Sequence, residues 1–331
     1  MNSETVTASL LRLKALLGPK GYHDDPDDLA PWLVDWRGVF HGAARALLSP
    51  ANVSEVAAIV SIAREAGLPI VPQGGNTGMV GGATPSPSGD SVLLSLRRMN
   101  AIRSIDATSG IAVAEAGVIL GNLHDAALAK GMRFPLSLGA KGSATIGGLV
   151  STNAGGTQVL RFGTMRKLVL GVEAVLPDGS IYDGLAALKK DNRGYDLTQL
   201  LIGAEGTLGV VTAASLRIVP AIGDRAVGWV GVESPQAALR LLRWLEARSG
   251  EAIESFEVVP RDTLDLVLRH IPGTRAPLQS GSAWNVLVEH VSAGGSRAAL
   301  EELLGGALNE ALAQDAVVSA SEAQAEAFWH L

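Results

Sequence analysis

Residues Val71–Ala83 read VPQGGNTGMVGGA. An apolar start runs into a stretch that holds five glycines and no charge. The approach to it is well marked. Asn52-Val-Ser-Glu55 has the form of a capping box. Val53 to Ala66 then carries helical spacing, and Gly67 suits the C-terminal stop. Leu68-Pro-Ile-Val71 follows as a short buried strand. A helix therefore feeds a strand, and the strand delivers a loop stripped of side chains. Such glycines present successive N–H groups with positive φ and let a ligand touch the backbone. Gln73, Asn76 and Thr77 add neutral hydrogen-bonding groups. The chemistry suits a diphosphate held by dipoles. Two better-known cradles are excluded. No Gly-Lys-Ser/Thr follows, so this is not a Walker loop. Pro85 and Pro87 stop the helix that a Gly-x-Gly-x-x-Gly dinucleotide loop would open. A mobile turn between strands is the alternative reading of the composition alone.

Two further segments share this bareness. Pro135 to Gly156 contains almost nothing large or charged apart from Lys141. Small residues over that length let a flat, bulky ligand lie against the main chain, although close packing of two loops reads the same way. Gly203-Ala-Glu-Gly-Thr-Leu-Gly209 leads into another strand. Three such segments in order fit one extended ligand better than three accidents. The chain has 39 glycines in 331 residues, above the usual level of about 7%, and the excess is concentrated between positions 74 and 209.

Around these loops the pattern is mixed helix and strand. Met1 to Lys20 reads as an amphipathic helix ending near Gly18. Ser91 to Leu96 and Gly110 to Glu115 read as strands, and Asn122 to Lys130 as a helix. Leu168 to Leu176, Pro177-Asp-Gly179 and Ser180 to Asp183 make an antiparallel hairpin. Asp196 is expected to cap a short helix through Ile202, and Leu208 to Val219 to form one long strand. Pro220 to Asp224 is a boundary. Beyond it, strand (226–233), helix (to 249), strand (251–259), helix (261–270), strand (284–291) and helix (296–313) alternate. This gives an α+β domain with helices on one face of a sheet, ferredoxin-like at coarse grain. Ser321 to Leu331 reads as a further helix in which the chain stops, so a truncated chain is expected.

Composition narrows the function. Hydrophobic residues make up 47% of the chain and mean hydropathy is +0.25, which marks a globular protein large enough for two domains. No apolar run reaches about 18 residues, so no transmembrane helix is expected. The N-terminus lacks the basic start and apolar block of a signal peptide. Net charge is -6 with mixed signs, and no basic stripe favours nucleic acid. There is no cysteine, which removes disulfides, thiolate metal sites, iron–sulfur clusters and cysteinyl cofactor links. These features lead to an expected cytoplasmic location. The run His23-Asp24-Asp25-Pro26-Asp27-Asp28 reads as a solvated acidic loop.

Pro72 to Gly78, Thr145-Ile-Gly-Gly148, Asn153-Ala-Gly-Gly156, Arg161-Phe-Gly163, Leu176-Pro-Asp-Gly179 and Gly203 to Gly209 together resemble the FAD-binding domain of the vanillyl-alcohol oxidase, or p-cresol methylhydroxylase, superfamily. Within it the chain resembles the FAD-linked D-2-hydroxy-acid dehydrogenases. Val34-Asp-Trp-Arg-Gly38 and Lys190-Asp-Asn-Arg-Gly-Tyr-Asp-Leu197 are most like the D-2-hydroxyglutarate dehydrogenase branch. The resemblance implies an α+β fold: a segment 1–40, a two-subdomain FAD-binding domain over 41–221 and an incomplete ferredoxin-like cap over 222–331. It implies that Pro72, Gln73, Gly74, Gly75, Asn76, Thr77 and Gly78 hold the FAD diphosphate. Pro135, Gly139, Ser143, Thr145, Gly148, Asn153 and Gly156 would line the ribityl chain and ring system, and Gly206, Gly209 and Val211 the other end. Some relatives tether the flavin through a histidine where this chain has Asn76, so non-covalent FAD is expected.

The resemblance further implies oxidation of a small 2-hydroxy acid. D-2-hydroxyglutarate is the best substrate, with D-lactate or glycolate as alternatives. A base takes the hydroxyl proton as hydride passes to the flavin, and electrons leave to a quinone or an electron-transfer protein. A homodimer and a flavin-binding fragment without turnover are also within the reading. Family members continue beyond Trp329-His-Leu331 with a substrate arginine and a histidine-rich segment tied to a divalent metal, zinc in the complete protein. The catalytic residues are therefore expected outside this chain. His290 reads as a packed strand residue, and Arg37 and Lys190 as surface charges.

Overall fold

The computed structural model describes residues 3–186, 188 and 192–331. Lys190 and Asp191, which open the second charged motif, lie outside the described residues. The chain forms two compact units. One holds the residues up to Gly155 together with Thr164–Pro220; the other holds Gly156–Gly163 and Ala221–Leu331.

The first unit opens with α1 (Ser3–Gly21), β1 (Tyr22–His23), α2 (Pro26–Leu29), a single 3-10 turn (Ala30–Trp32), β2 (Leu47–Leu48), α3 (Val53–Ala66), β3 (Ile70–Gln73) and β4 (Val92–Ser95). The regular helix of α1 ends at Gly18, as the spacing predicts. That residue breaks the helix with φ 61°, and one more turn runs on to Gly21. At α3 half of the expected capping box forms, with Asn52 Oδ1 accepting the Glu55 N–H at 2.9 Å, while Glu55 Oε2 reaches one residue further back to accept the Ala51 N–H at 2.7 Å. Gly67 closes the helix in the left-handed region at φ 63°. The apolar stripe Val56, Ile59, Val60 and Ala63 is buried with Leu13 and Leu17 of α1 and with Val92 and Leu94. The strands lie in the order β1-β2-β4-β3, with β3 and β2 parallel to β4.

The unit continues with β5 (Ile102–Asp106), β6 (Ile111–Glu115), α4 (Leu120–Leu128), β7 (Met132–Arg133) and α5 (Ile146–Ser151). The next helix, α6 (Val159–Phe162), belongs to the second unit. Then come α7 (Met165–Leu168), β8 (Val169–Val175), β9 (Ile181–Asp183), α8 (Thr198–Leu201), β10 (Val210–Arg217) and β11 (Val219–Pro220). A five-stranded antiparallel sheet runs β5-β6-β10-β8-β9. The expected hairpin is β8 and β9, with Val175 opposite Ile181. The expected long strand is divided. The Ile218 N–H donates to the Gly110 carbonyl at 2.9 Å, and β11 leaves to pair with β7. Asp196 does not cap α8; the helix starts after Leu197 with no side-chain cap.

The second unit contains β12 (Asp224–Val232), α9 (Pro235–Ser249), β13 (Ile253–Pro260), α10 (Arg261–His270), β14 (Trp284–Ser292), α11 (Ser296–Asn309), β15 (Asp315–Val318) and α12 (Glu322–Trp329). Ser234 caps α9 by accepting the Ala237 N–H at 3.1 Å, with Pro235 at its first position. The sheet order β13-β14-β12-β15, antiparallel throughout, is the ferredoxin-like split βαβ arrangement. Reading the sequence alone missed β15, four residues lodged between two helices, and so left the sheet one strand short. It also placed all helices on one face. In the structure Leu241, Leu245, Leu300 and Leu304 of α9 and α11 share a core with Val230, Val286 and Val288. Leu264 of α10 and Ala325 and Phe328 of α12 pack instead with Val227, Trp229 and Leu287. Strand alternation explains this: positions 227, 229 and 287 face opposite to 230, 286 and 288. Arg225 of β12 pairs with Glu289 at 3.2 Å and with Glu322 and Glu326, which anchors α12.

Candidate functional site

The first glycine loop leaves β3 at Gln73. The Gln73 side chain is buried, and its Nε2 donates to the carbonyls of Trp32 at 3.0 Å and Ala83 at 2.8 Å. Asn76 Nδ2 donates to the Val34 carbonyl at 2.8 Å. These two amides were expected to serve the ligand; their donors instead fasten the loop to residues 32–34 and 83. The main chain is what remains available. Among the described residues, the N–H groups of Gly74, Gly75, Asn76, Thr77 and Gly78 have no protein acceptor. Asn76 sits in the left-handed region at φ 51°, a conformation that costs a non-glycine residue of order 1 kcal/mol and clusters at ligand sites.

The second segment presses directly on the first. A β-carbon on Gly74 would lie 2.5 Å from Thr145 Oγ1, and one on Gly75 would overlap the Ser143 carbonyl oxygen. Gly148 is next in line, with its Cα 3.4 Å from the same point at residue 74. Only glycine permits this approach. Thr145 Oγ1 is buried and has no partner within the protein. Gly74, Gly75, Ser143 and Thr145 line a cleft of about 220 Å³. Its other walls were not singled out from the sequence: Trp32, Arg97, Asn100, Gly117, Ile119 and Asn122. The Arg97 guanidinium lies over the Trp32 ring, 4.8 Å from its centroid. Arg97 brings the one positive side chain to this cleft. Nothing local in the sequence marks these residues, because the 3-10 turn, the end of β4 and the start of α4 supply them from far apart.

The third segment joins from the other side. Gly203, Glu205 and Gly206 have φ values of 79°, 51° and 79°. The Gly203 and Glu205 N–H groups donate to the Val150 and Ser151 carbonyls at the end of α5, at 3.0 and 2.9 Å. Gly206 abuts Pro72: a β-carbon there would sit 2.7 Å from Pro72 Cγ. Pro72, Gly206 and Gly209 line a second cleft of about 210 Å³ with Arg64, Ile70, Val175 and Pro177. The two clefts share no lining residue, so the loops meet while Gly206 and Thr145 face different openings. Val211 is buried in β10 opposite Ala174. Pro135 is buried and Gly139 is exposed with open space around it. Asn153, at φ 48°, accepts the Arg166 N–H through Oδ1 at 2.9 Å. Gly156 falls in the second unit. Arg37 is exposed, and its N–H donates to Asp35 at 3.3 Å. His290 is buried on β14, and burial lowers its pKa. Among the described residues no three His, Asp or Glu side chains gather as metal ligands, and no helix is long and apolar enough to cross a membrane.

Bare consecutive amides, a buried unpartnered hydroxyl, a nearby guanidinium and glycine-only contacts between two loops are the donor set that a flavin dinucleotide requires. The residues therefore fit FAD.

Comparison with known proteins agrees. The family described as FAD binding domain matches residues 44–184, and the C-terminal domain of FAD linked oxidases matches residues 223–331. The mitochondrial D-2-hydroxyglutarate dehydrogenase of Arabidopsis thaliana is 39% identical over 96% of this chain and 57% of its own length. That of Bos taurus is 41% identical over 93% of this chain and 56% of its own. A putative mitochondrial D-lactate dehydrogenase of Schizosaccharomyces pombe is 37% identical over 92% and 58%. The chain thus spans somewhat more than half the length of these relatives. Among solved structures, p-cresol methylhydroxylase with substrate bound shares the fold at TM-score 0.75 and 18% identity, covering 96% of this chain and 67% of that one. An alkyldihydroxyacetonephosphate synthase does so at TM-score 0.76 and 18% identity, covering 97% and 62%. The expected cytoplasmic location is overturned, since these dehydrogenases are named as mitochondrial. With an FAD-binding domain followed by the matching C-terminal domain, the chain belongs to the FAD-linked oxidases of the p-cresol methylhydroxylase-type fold.

Proposed function

We propose that this chain holds FAD non-covalently and serves in the oxidation of a D-2-hydroxy acid, D-2-hydroxyglutarate to 2-oxoglutarate. One observation carries the reading: the Gly74–Gly75 backbone lies against Ser143 and Thr145 beside a cleft with free main-chain donors. When bound, the flavin supplies the two-electron chemistry. The N–H groups from Gly74 to Gly78, with Pro72 and Gln73 as their frame, would hold the diphosphate, and Arg97 would balance its charge. Pro135, Gly139, Ser143, Thr145, Gly148, Asn153 and Gly156 would line the ribityl chain and rings. Gly206, Gly209 and Val211 would meet the opposite end through backbone. Asn76 has no nucleophilic ring nitrogen, which favours an untethered cofactor. In this reading 1–40 is an N-terminal segment, 41–221 the flavin domain and 222–331 the cap. Electrons leave to a quinone or an electron-transfer protein, and the protein assembles as a homodimer. The substrate assignment rests on the D-2-hydroxyglutarate dehydrogenases among the relatives.

The test is reconstitution with FAD followed by anaerobic titration. The purified protein turns yellow and bleaches with D-2-hydroxyglutarate. A colourless protein overturns the flavin assignment. Bleaching by D-lactate alone moves the substrate to D-lactate, the reading favoured by the Schizosaccharomyces pombe relative. A yellow colour stable to every hydroxy acid leaves a flavin carrier without turnover.

A further inference from the structure

Arg166, on α7, stands where the second and third glycine segments meet. Its backbone N–H donates to Asn153 Oδ1 at 2.9 Å, and the neighbouring Met165 N–H donates to the Ala154 carbonyl at 2.9 Å. The Asn153 side chain thereby tops the first turn of α7. The Arg166 side chain reaches the other way. Its two terminal nitrogens donate to the Gln199 carbonyl at 2.6 Å, to Gln199 Oε1 at 3.1 Å and to the Ile202 carbonyl at 2.5 Å. These are the last carbonyls of α8 and its cap, where a cation is favoured. The next residue, Gly203, is so close that a β-carbon there would sit 3.2 Å from both Arg166 Nη2 and Asn153 Cβ. A planar fork that spans two carbonyls has no substitute among the other cations.

We propose that Arg166 is a positioning residue of the cofactor site, locking the Asn153 segment to the Gly203–Gly209 turn so that both present their backbone in fixed register. Asn153 and Glu205 both hold left-handed backbone conformations, and the Arg166 contacts add to the Gly203–Val150 and Glu205–Ser151 backbone bonds that join the two segments. The inference rests on the flavin reading above. It is tested on the full chain with Arg166→Met and Arg166→Lys. The readings are the FAD dissociation constant from flavin fluorescence, the shape of the bound flavin absorption band, and the melting temperature without FAD. Arg166→Met should raise the dissociation constant about tenfold and blur the bound flavin band. Arg166→Lys should recover part of both, because one ammonium reaches one carbonyl at a time. A purely structural role would lower the melting temperature while leaving the constant and the band of the folded protein unchanged, and that result overturns the assignment. If Arg166→Met does not fold, Arg166→Lys decides by the same two readings. Wild-type protein that takes up no FAD sinks the flavin reading; wild-type uptake with unaltered variants sinks only the role of Arg166.

Discussion

Replacing Gly75 by alanine puts one methyl group between the two loops that frame the cleft beside Thr145. The new β-carbon would overlap the Ser143 carbonyl oxygen and lie 2.7 Å from its carbonyl carbon and 3.1 Å from Ala144 Cα. Ordinary carbon contacts sit at about 3.5–4.0 Å, so the loops must part by roughly 1 Å. The obstacle is backbone on both sides, so no side chain can swing away. Overpacking of this kind costs about 1–3 kcal/mol. Taking about 2 kcal/mol, the melting temperature of the first unit falls by about 4–8 °C. If the parted loops also deprive bound FAD of about 2 kcal/mol of contact, its dissociation constant rises about 30-fold. Differential scanning fluorimetry and fluorescence titration read the two effects. Gly142→Ala is the matched control: Gly142 has nothing within 4 Å and no positive φ, so its melting temperature should stay within about 1 °C. A Gly75→Ala protein that melts and binds FAD as the wild type does would refute the contact between the loops.

Phe328→Ala should destabilise the second unit by about 3–5 kcal/mol, because Phe328 is buried against Trp229 with ring centroids 6.2 Å apart; an unchanged urea midpoint would disprove this packing. Asn52→Ala should cost about 1 kcal/mol by leaving the Glu55 N–H uncapped, measured by the same denaturation. Burial holds the His290 pKa below its ordinary value of 6.5, with Asp224 opposing and the Arg161 charge adding to the fall. The folded state thus keeps this ring neutral while the unfolded chain takes up the proton, so stability drops as pH falls below about 6.5. His290→Asn should shrink the melting difference between pH 7 and pH 5. Part of it will remain, since burial lowers His124 in the same direction. An identical pH slope in the variant would contradict the assignment.

The elements with strong local signals were legible in the chain itself. The α3 cap at Asn52, the stop at Gly67 and the Pro177-Asp-Gly179 hairpin follow from residue chemistry within a few positions. The three glycine segments were legible as bare loops, and the structure adds the close backbone approaches at Gly74, Gly75 and Gly206. What escaped was set at long range. The β15 strand is four residues long and pairs with β12, 84 to 90 positions earlier. The cleft wall of Trp32, Arg97, Asn100 and Asn122 draws on elements that only the fold brings together. Gln73 and Asn76 are expected from the sequence to bond the ligand, whereas their amide nitrogens donate to the Trp32 and Val34 carbonyls, some forty positions upstream. Spacing carries no signal of that.

The strand that delivers the first loop sits at the margin of its sheet, with a neighbour on β4 only. A border strand of this kind can breathe at the cost of a single ladder, whereas one in the middle must break two. The first glycine loop is thus hung on the part of the sheet that yields most readily. A guest seated on this loop, as proposed above, would steady that hem. Loss of the guest should accordingly fray Ile70–Gln73 first, well before the interior of the sheet notices.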